Sequence, residues 1–149
     1  MTPLDSLCNY FERLSSATLG ELESFYAVDA WFKDPFHEVI GVADIRTILR
    51  HTFDKLPDAR FRVTHRFPGA GHDAVLLWEM DFTMPITGAP TTIVGATHLT
   101  LDASGRVTRH RDYWDAAEEL YARLPGLKWL MRGLARHASA RLPASVTPT

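Results

Sequence analysis

Asp34 and the His110/Asp112 pair are the residues of this sequence whose types and settings could do chemistry. Asp34 precedes Pro35, and a proline pushes the residue before it out of the helical region, so this pair belongs to an extended or turning segment. A carboxylate held there against an apolar pocket resists ionisation, which raises its pKa towards the range of a useful general base. The alternative is a turn aspartate that accepts backbone N–H groups two residues on. His110, Asp112 and Trp114 alternate, so a pleated strand would place all three on one face, with an acid–base pair beside an indole wall. The other reading pairs Asp112 with an arginine and leaves His110 to the backbone. No HExxH or similar compact ligand spacing occurs, so neither a metal nor a cofactor is expected.

Helices, strands and turns must position these groups. Leu4, Leu7, Cys8, Phe11 and Leu14 step by three and four, which predicts an amphipathic helix started by Thr2-Pro3. A short helix is expected from Leu19 to Tyr26 with Thr18 as its cap, and a third from Val42 to Leu56, stopped by Pro57. From Ala59 the period becomes two. Phe61, Val63, His65 and Phe67 are expected on one face, with Arg60, Arg62, Thr64 and Arg66 on the other. Ala74 to Met84, Thr91 to Leu101 and Arg106 to Trp114 follow as strands, the last two joined by the turn Asp102 to Gly105. Helical spacing resumes at Glu118, breaks at Pro125-Gly126 and runs on from Leu127 to about Leu142. Helices followed by a strand meander define an α+β class: a curved antiparallel sheet wrapped over N-terminal helices as a cone, with a C-terminal helix. The cone's mouth is the natural pocket for a small apolar molecule. Trp78, Met80 and Phe82 form an apolar stripe that would be core and pocket wall at once.

The string from Tyr26 through Trp31, Asp34, Pro35, Phe36 and His37 to Gly41 resembles the segment before the third helix of nuclear transport factor 2-like proteins. The ending Gly105 to Asp115, running into Leu120 to Pro125, resembles a bacterial SnoaL-like subgroup. The resemblance covers about residues 4 to 137 and implies the fold shared with ketosteroid isomerases and polyketide cyclases. It also implies roles by position. In ketosteroid isomerases the aspartate of the Asp-Pro pair is the base, and a tyrosine 24 positions earlier polarises the substrate carbonyl; Asp34 and Tyr10 stand 24 apart here. Tyr10 is otherwise a core aromatic with its hydroxyl on a buried acceptor. Thr97 falls where those isomerases carry a protonated aspartate, the second oxyanion donor. Trp31, Trp78, Met80, Phe82 and Trp114 are expected to line the site with Thr97, and His37 to close its mouth or face solvent.

Bulk properties exclude other classes. The chain of 149 residues has the size of one domain, expected over residues 1–142 with a disordered tail at 143–149. Its net charge of −2, without a long run of one sign, supplies no electrostatic footprint for nucleic acid. Cys8 stands alone, so no intramolecular disulfide forms, and no uncharged run approaches the length of a membrane span. A cytoplasmic protein with no membrane partner is the expectation. The basic amphipathic segment from Leu127 could sit on a membrane surface, but a lid over the pocket or packing on the body is favoured. Val75, Leu77 and Val94 on the sheet's outer side are expected to form a homodimer interface. The function expected is binding of a small apolar molecule, with isomerase, cyclase or dehydratase-type proton transfer next to a carbonyl. The alternative is a binding or dimeric interaction module without turnover.

Overall fold

In the computed structural model, which describes residues 1–120 and 126–139, the chain divides into two compact units, Met1–Trp114 and Asp115–Thr149. The first unit opens with helix α1 (Pro3–Glu12), fixed at its start by a reciprocal capping box. The Thr2 hydroxyl accepts from the Asp5 N–H at 3.1 Å, the Asp5 carboxylate accepts from the Thr2 N–H at 3.0 Å, and Pro3 fills the first turn. Leu7, Cys8 and Tyr10 are buried, and Leu14 follows just beyond the helix.

The expected second helix is shorter than its spacing predicts. Leu19–Glu21 form a 3₁₀ turn, and α2 (Leu22–Phe25) adds a single α turn. Thr18 does not cap it; its hydroxyl accepts from the Ser15 N–H at 2.9 Å, within the loop. At Tyr26 the backbone turns extended, and the residues read as the end of a helix and the start of a turning piece make strand β1 (Tyr26–Lys33). Strand β2 (Glu38–Ile40) folds back on it, and Gly41, at φ 115°, leads into α3 (Val42–Lys55).

The strands β3 (Arg60–Pro68), β4 (Asp73–Thr83), β5 (Pro90–Leu101) and β6 (Val107–Tyr113) form the expected antiparallel meander. The turn between β5 and β6 is closed as the residue types require: Asp102 Oδ1 accepts from the Ser104 and Arg106 N–H groups, and Gly105 takes φ 85°. The sheet order is β2-β1-β6-β5-β4-β3. Strand β1 lies parallel to β6, so the curved sheet is mixed rather than wholly antiparallel. Long-range pairing of this kind, between residues some eighty positions apart, leaves no periodic mark on either strand.

A bulge between Val63 and His65 corrects the face assignment on β3. One extra residue reverses every later side chain. Phe61 and Val63 remain on the inner face, but His65 and Phe67 pair with Leu77 and Val75 and so face outwards. Arg66 turns inwards, where its guanidinium meets Asp5 of α1 at 2.9 Å.

The second unit contains α4 (Ala116–Glu119) and α5 (Leu127–Ala138). The expected helical positions Tyr121 and Leu124, the extension to Leu142 and the tail 143–149 lie outside the described residues. None of the described helices is long and apolar enough to cross a membrane.

Candidate active site

The inner faces of β4, β5 and β6 meet α1, α3 and β1 around one cavity. Its volume is about 50 Å³. This exceeds what one water needs and falls below the range of drug-sized ligand sites, so the space is a narrow slot rather than a packing defect. Phe11, Leu14, Phe32, Leu49, Phe61 and Leu76 supply apolar wall. The polar lining consists of Tyr26, Trp78, Thr97, His110 and Asp112, and all five belong to one hydrogen-bonded chain.

The chain starts at Trp78, whose indole N–H donates to the Thr97 hydroxyl at 2.7 Å. Thr97, directly across from Asp112 in the β5–β6 ladder, donates to Asp112 Oδ1. The same oxygen lies 2.7 Å from His110 Nε2, and His110 Nδ1 lies 2.7 Å from the Tyr26 hydroxyl. Burial pushes the Tyr26 phenol well above its ordinary range, and the Asp112 charge adds to the effect, so Tyr26 stays protonated. Among the described residues its proton has no other acceptor, so it donates to Nδ1. That fixes the neutral tautomer with its proton on Nε2, which donates to Asp112. Both ring nitrogens of His110 are thus committed. Among the described residues no hydrogen bond falls on Asp112 Oδ2. His110 is further held by rings: Phe32 at 4.8 Å, Tyr26 at 6.0 Å and Phe11 edge-on at 6.1 Å.

Of the residues expected at the site, His110, Asp112, Thr97 and Trp78 come together here. Asp34 does not join them. Its Oδ1 accepts from the backbone N–H groups of Phe36 at 2.8 Å and His37 at 2.6 Å, and the His37 ring lies 3.1 Å away, so the carboxylate closes a surface turn. His37 belongs to the same turn and is exposed. Tyr10 is fully buried against Phe25, ring centroids 4.3 Å apart, and its hydroxyl donates to the Thr18 carbonyl at 3.1 Å. It is a core aromatic, with a pKa pushed up to about 12 by burial, and not part of the cavity lining. Trp31 takes the outer face of β1, where the Arg109 guanidinium stacks 4.0 Å above its ring. Met80 and Phe82 are buried on the inner face as core, away from the cavity lining. Trp114 lies past the end of β6, so strand alternation no longer governs it, and it packs edge-on against Phe36 at 5.5 Å.

Tyr26 and Phe32 are the site residues that sequence reasoning missed. Both enter through the parallel β1–β6 contact, with Phe32 beside His110 in register. The alternation of Tyr26, Ala30 and Phe32 as buried positions was the available signal, and exposed Val28 interrupts it. Among the described residues no three histidine, cysteine or acidic side chains gather where a metal could be held.

A family model described as the SnoaL-like domain matches residues 8–110, which span the cavity from Phe11 to His110. This chain is a member of the SnoaL-like domain family. Solved structures repeat the fold of this SnoaL-like protein at low identity. A protein from Catenulispora acidiphila with a ketosteroid isomerase-like fold, in complex with trimethylamine, is 16% identical, with 85% of this chain and 95% of that one covered at a TM-score of 0.70. A SnoaL-like polyketide cyclase from Agrobacterium tumefaciens is 20% identical, with 77% and 92% covered and a TM-score of 0.64. An epoxide hydrolase from M. tuberculosis is 15% identical, with 88% and 93% covered and a TM-score of 0.63. No curated protein matches. Such neighbours share architecture and differ in chemistry, so function has to be argued from the site.

Proposed function

We propose that this SnoaL-like protein binds a small apolar carbonyl compound in the cavity and that Asp112 moves a proton next to that carbonyl. The observation that carries the proposal is the division of labour within the carboxylate. Oδ1 accepts from Thr97 and His110, which hold the group in place, while Oδ2 is left for a ligand. His110 positions the carboxylate and has no nitrogen to spare as a base, and Tyr26 sets its tautomer.

The donor inventory narrows the substrate. Tyr26, Trp78, Thr97 and His110 each spend a proton inside the chain of hydrogen bonds, and no other lining residue carries a side-chain donor. A simple ketone requires a strong donor to its developing oxyanion. A C–H flanked by two conjugated carbonyls does not, because the enolate spreads its own charge. A cyclase or isomerase-type step on such a compound, with Asp112 both removing and returning the proton, fits the groups present and needs no cofactor. The same donor inventory favours one other reading, a binder without turnover.

Hydrogen–deuterium exchange separates the two. Apolar cyclic 1,3-diketones in D₂O, followed by NMR, should bind and exchange their activated proton faster with the protein than without it. Asp112→Asn should retain binding and lose about 10²- to 10⁴-fold in exchange rate. Binding without any protein-dependent exchange would establish the binder and remove the enzyme.

We also propose a homodimer through the outer sheet face. Its support is the apolar surface there: Val94 is 55% exposed and Val75 38%, with Phe67 and Tyr113 exposed on the same side.

A further inference from the structure

The charge of this protein is unevenly placed. From Leu120 to Thr149 the sequence contains Arg123, Lys128, Arg132, Arg136 and Arg141 and no acidic residue, which is +5 against −2 for the whole chain, so residues 1–119 carry −7. This basic stretch also lies beyond residues 8–110, the part matched by the family model. The fold does not account for it.

Helix α5 (Leu127–Ala138) spans twelve residues of the stretch. A rise of 1.5 Å per residue makes it about 18 Å long, too short to cross a bilayer but long enough to lie along one. The helical repeat gathers sequence positions 127, 130, 131, 134 and 138, which are Leu, Leu, Met, Leu and Ala, into one apolar stripe. Positions 128, 132 and 136, which are Lys, Arg and Arg, follow along its flank. Leu130 and Leu134 are 51% and 57% exposed, and Arg132, Arg136 and His137 are exposed as well.

We infer that α5 docks on the surface of a bilayer containing anionic phospholipid. Two features select this occupant. The leucine stripe requires an apolar medium, and the cations beside it require a dense negative surface within a few ångströms of that medium. The boundary between acyl chains and anionic headgroups provides both at the spacing of one helix diameter. A second copy of α5 would bring like charges together, because the helix carries no acid to offset them. The sequence pattern alone favours a lid or packing role for this segment; the exposure of Leu130 and Leu134 leaves the stripe available to a bilayer. The inference is independent of the chemistry proposed for the cavity.

Vesicle co-sedimentation of the full chain tests it. Vesicles of phosphatidylcholine with about one-third phosphatidylglycerol should bind the protein at least tenfold more tightly than phosphatidylcholine alone, and about 0.5 M salt should largely abolish the difference. The charge-neutral change Leu130→Ser/Leu134→Ser should weaken binding to anionic vesicles by roughly tenfold or more, since it removes apolar burial and leaves every cation. Arg132→Gln/Arg136→Gln should weaken it by a similar factor while leaving the thermal midpoint of the cavity-bearing unit unchanged. Absence of binding to anionic vesicles at low salt overturns the inference in favour of a protein surface. Binding that the leucine changes do not affect also overturns it, because nonspecific charge attraction would then be the whole effect.

Discussion

Asp112 depends on Tyr26, a residue it does not touch. The Tyr26 hydroxyl fills His110 Nδ1, and only then does Nε2 carry the proton that Asp112 accepts. Tyr26→Phe removes one oxygen and leaves a buried ring nitrogen without its donor, at a cost of about 1–3 kcal/mol in unfolding free energy. Chemical denaturation should show that loss near neutral pH and a smaller one at high pH. The buried phenols have folded pKa values raised above their unfolded value of about 10, Tyr26 well above and Tyr10 to about 12. Between the unfolded and folded values the native state holds the proton and the unfolded state has released it, so stability is full below about pH 10 and falls as pH rises beyond it. The slope approaches about 1.4 kcal/mol per pH unit for each such tyrosine. Tyr26→Phe should lose stability less steeply than the parent above pH 10; equal slopes would show that Tyr26 is not held as a phenol. His110 and Asp112 were legible in the sequence because both lie on one regular strand, where alternation alone places them together. Asp34 was misleading for a local reason: the proline that keeps it extended also forms the turn whose amides occupy its carboxylate.

Strands β4 and β5 were readable to within a residue or two at their ends because their alternation is regular, and β6 was readable from His110 onwards, although a register shift against β5 leaves both Val107 and His110 buried. Strand β3 was readable only as far as Val63, since a bulge costs one residue and no sequence signal announces it. Strand β1 was readable only in part: the piece from Trp31 is expected to be extended or turning, while Tyr26 reads as the end of a helix. Its pairing with β6 shifts register between Tyr26 and Trp31, so Trp31 faces out over Arg109 and Phe32 takes the inner place assigned to it. Gly95 is a subtler case. It sits opposite Trp78 in the β4–β5 ladder, and a methyl group built on it would overlap the indole ring. The glycine is there for close approach rather than backbone freedom. Gly95→Ala should therefore push Trp78 off its wall and away from Thr97, at about 1–3 kcal/mol for the overpacking. A thermal midpoint equal to that of the parent would mean that the strand yields without cost. A lowered midpoint together with reduced proton exchange would show that the wall and the carboxylate are coupled through Thr97.

At the level of the whole molecule, the sheet divides its labour between faces. The inner face is committed to the core and cavity, while the outer face keeps a series of exposed apolar side chains. Ile40 on β2, Tyr113 on β6, Val94 on β5, Val75 on β4 and Phe67 on β3 are exposed across nearly the full width of the sheet, with Leu77 half-buried between them. Paired polar groups stand among them, such as Arg62 with Glu79 and the His98 ring 3.3 Å from Asp73, so a twofold partner would find apolar contact at the centre and paired polar groups around it. Light scattering should give twice 16.8 kDa at micromolar concentration. Val94→Glu places a carboxylate at the centre of this face without touching the inner side of β5, and two copies would bring two of them together in a twofold interface. The variant should fold with its cavity intact and scatter as a monomer. A monomeric parent would remove the dimer outright. A parent dimer that survives Val94→Glu would place the contact elsewhere and return Phe67 and Val94 to the ordinary exposed apolar surface that every soluble domain carries.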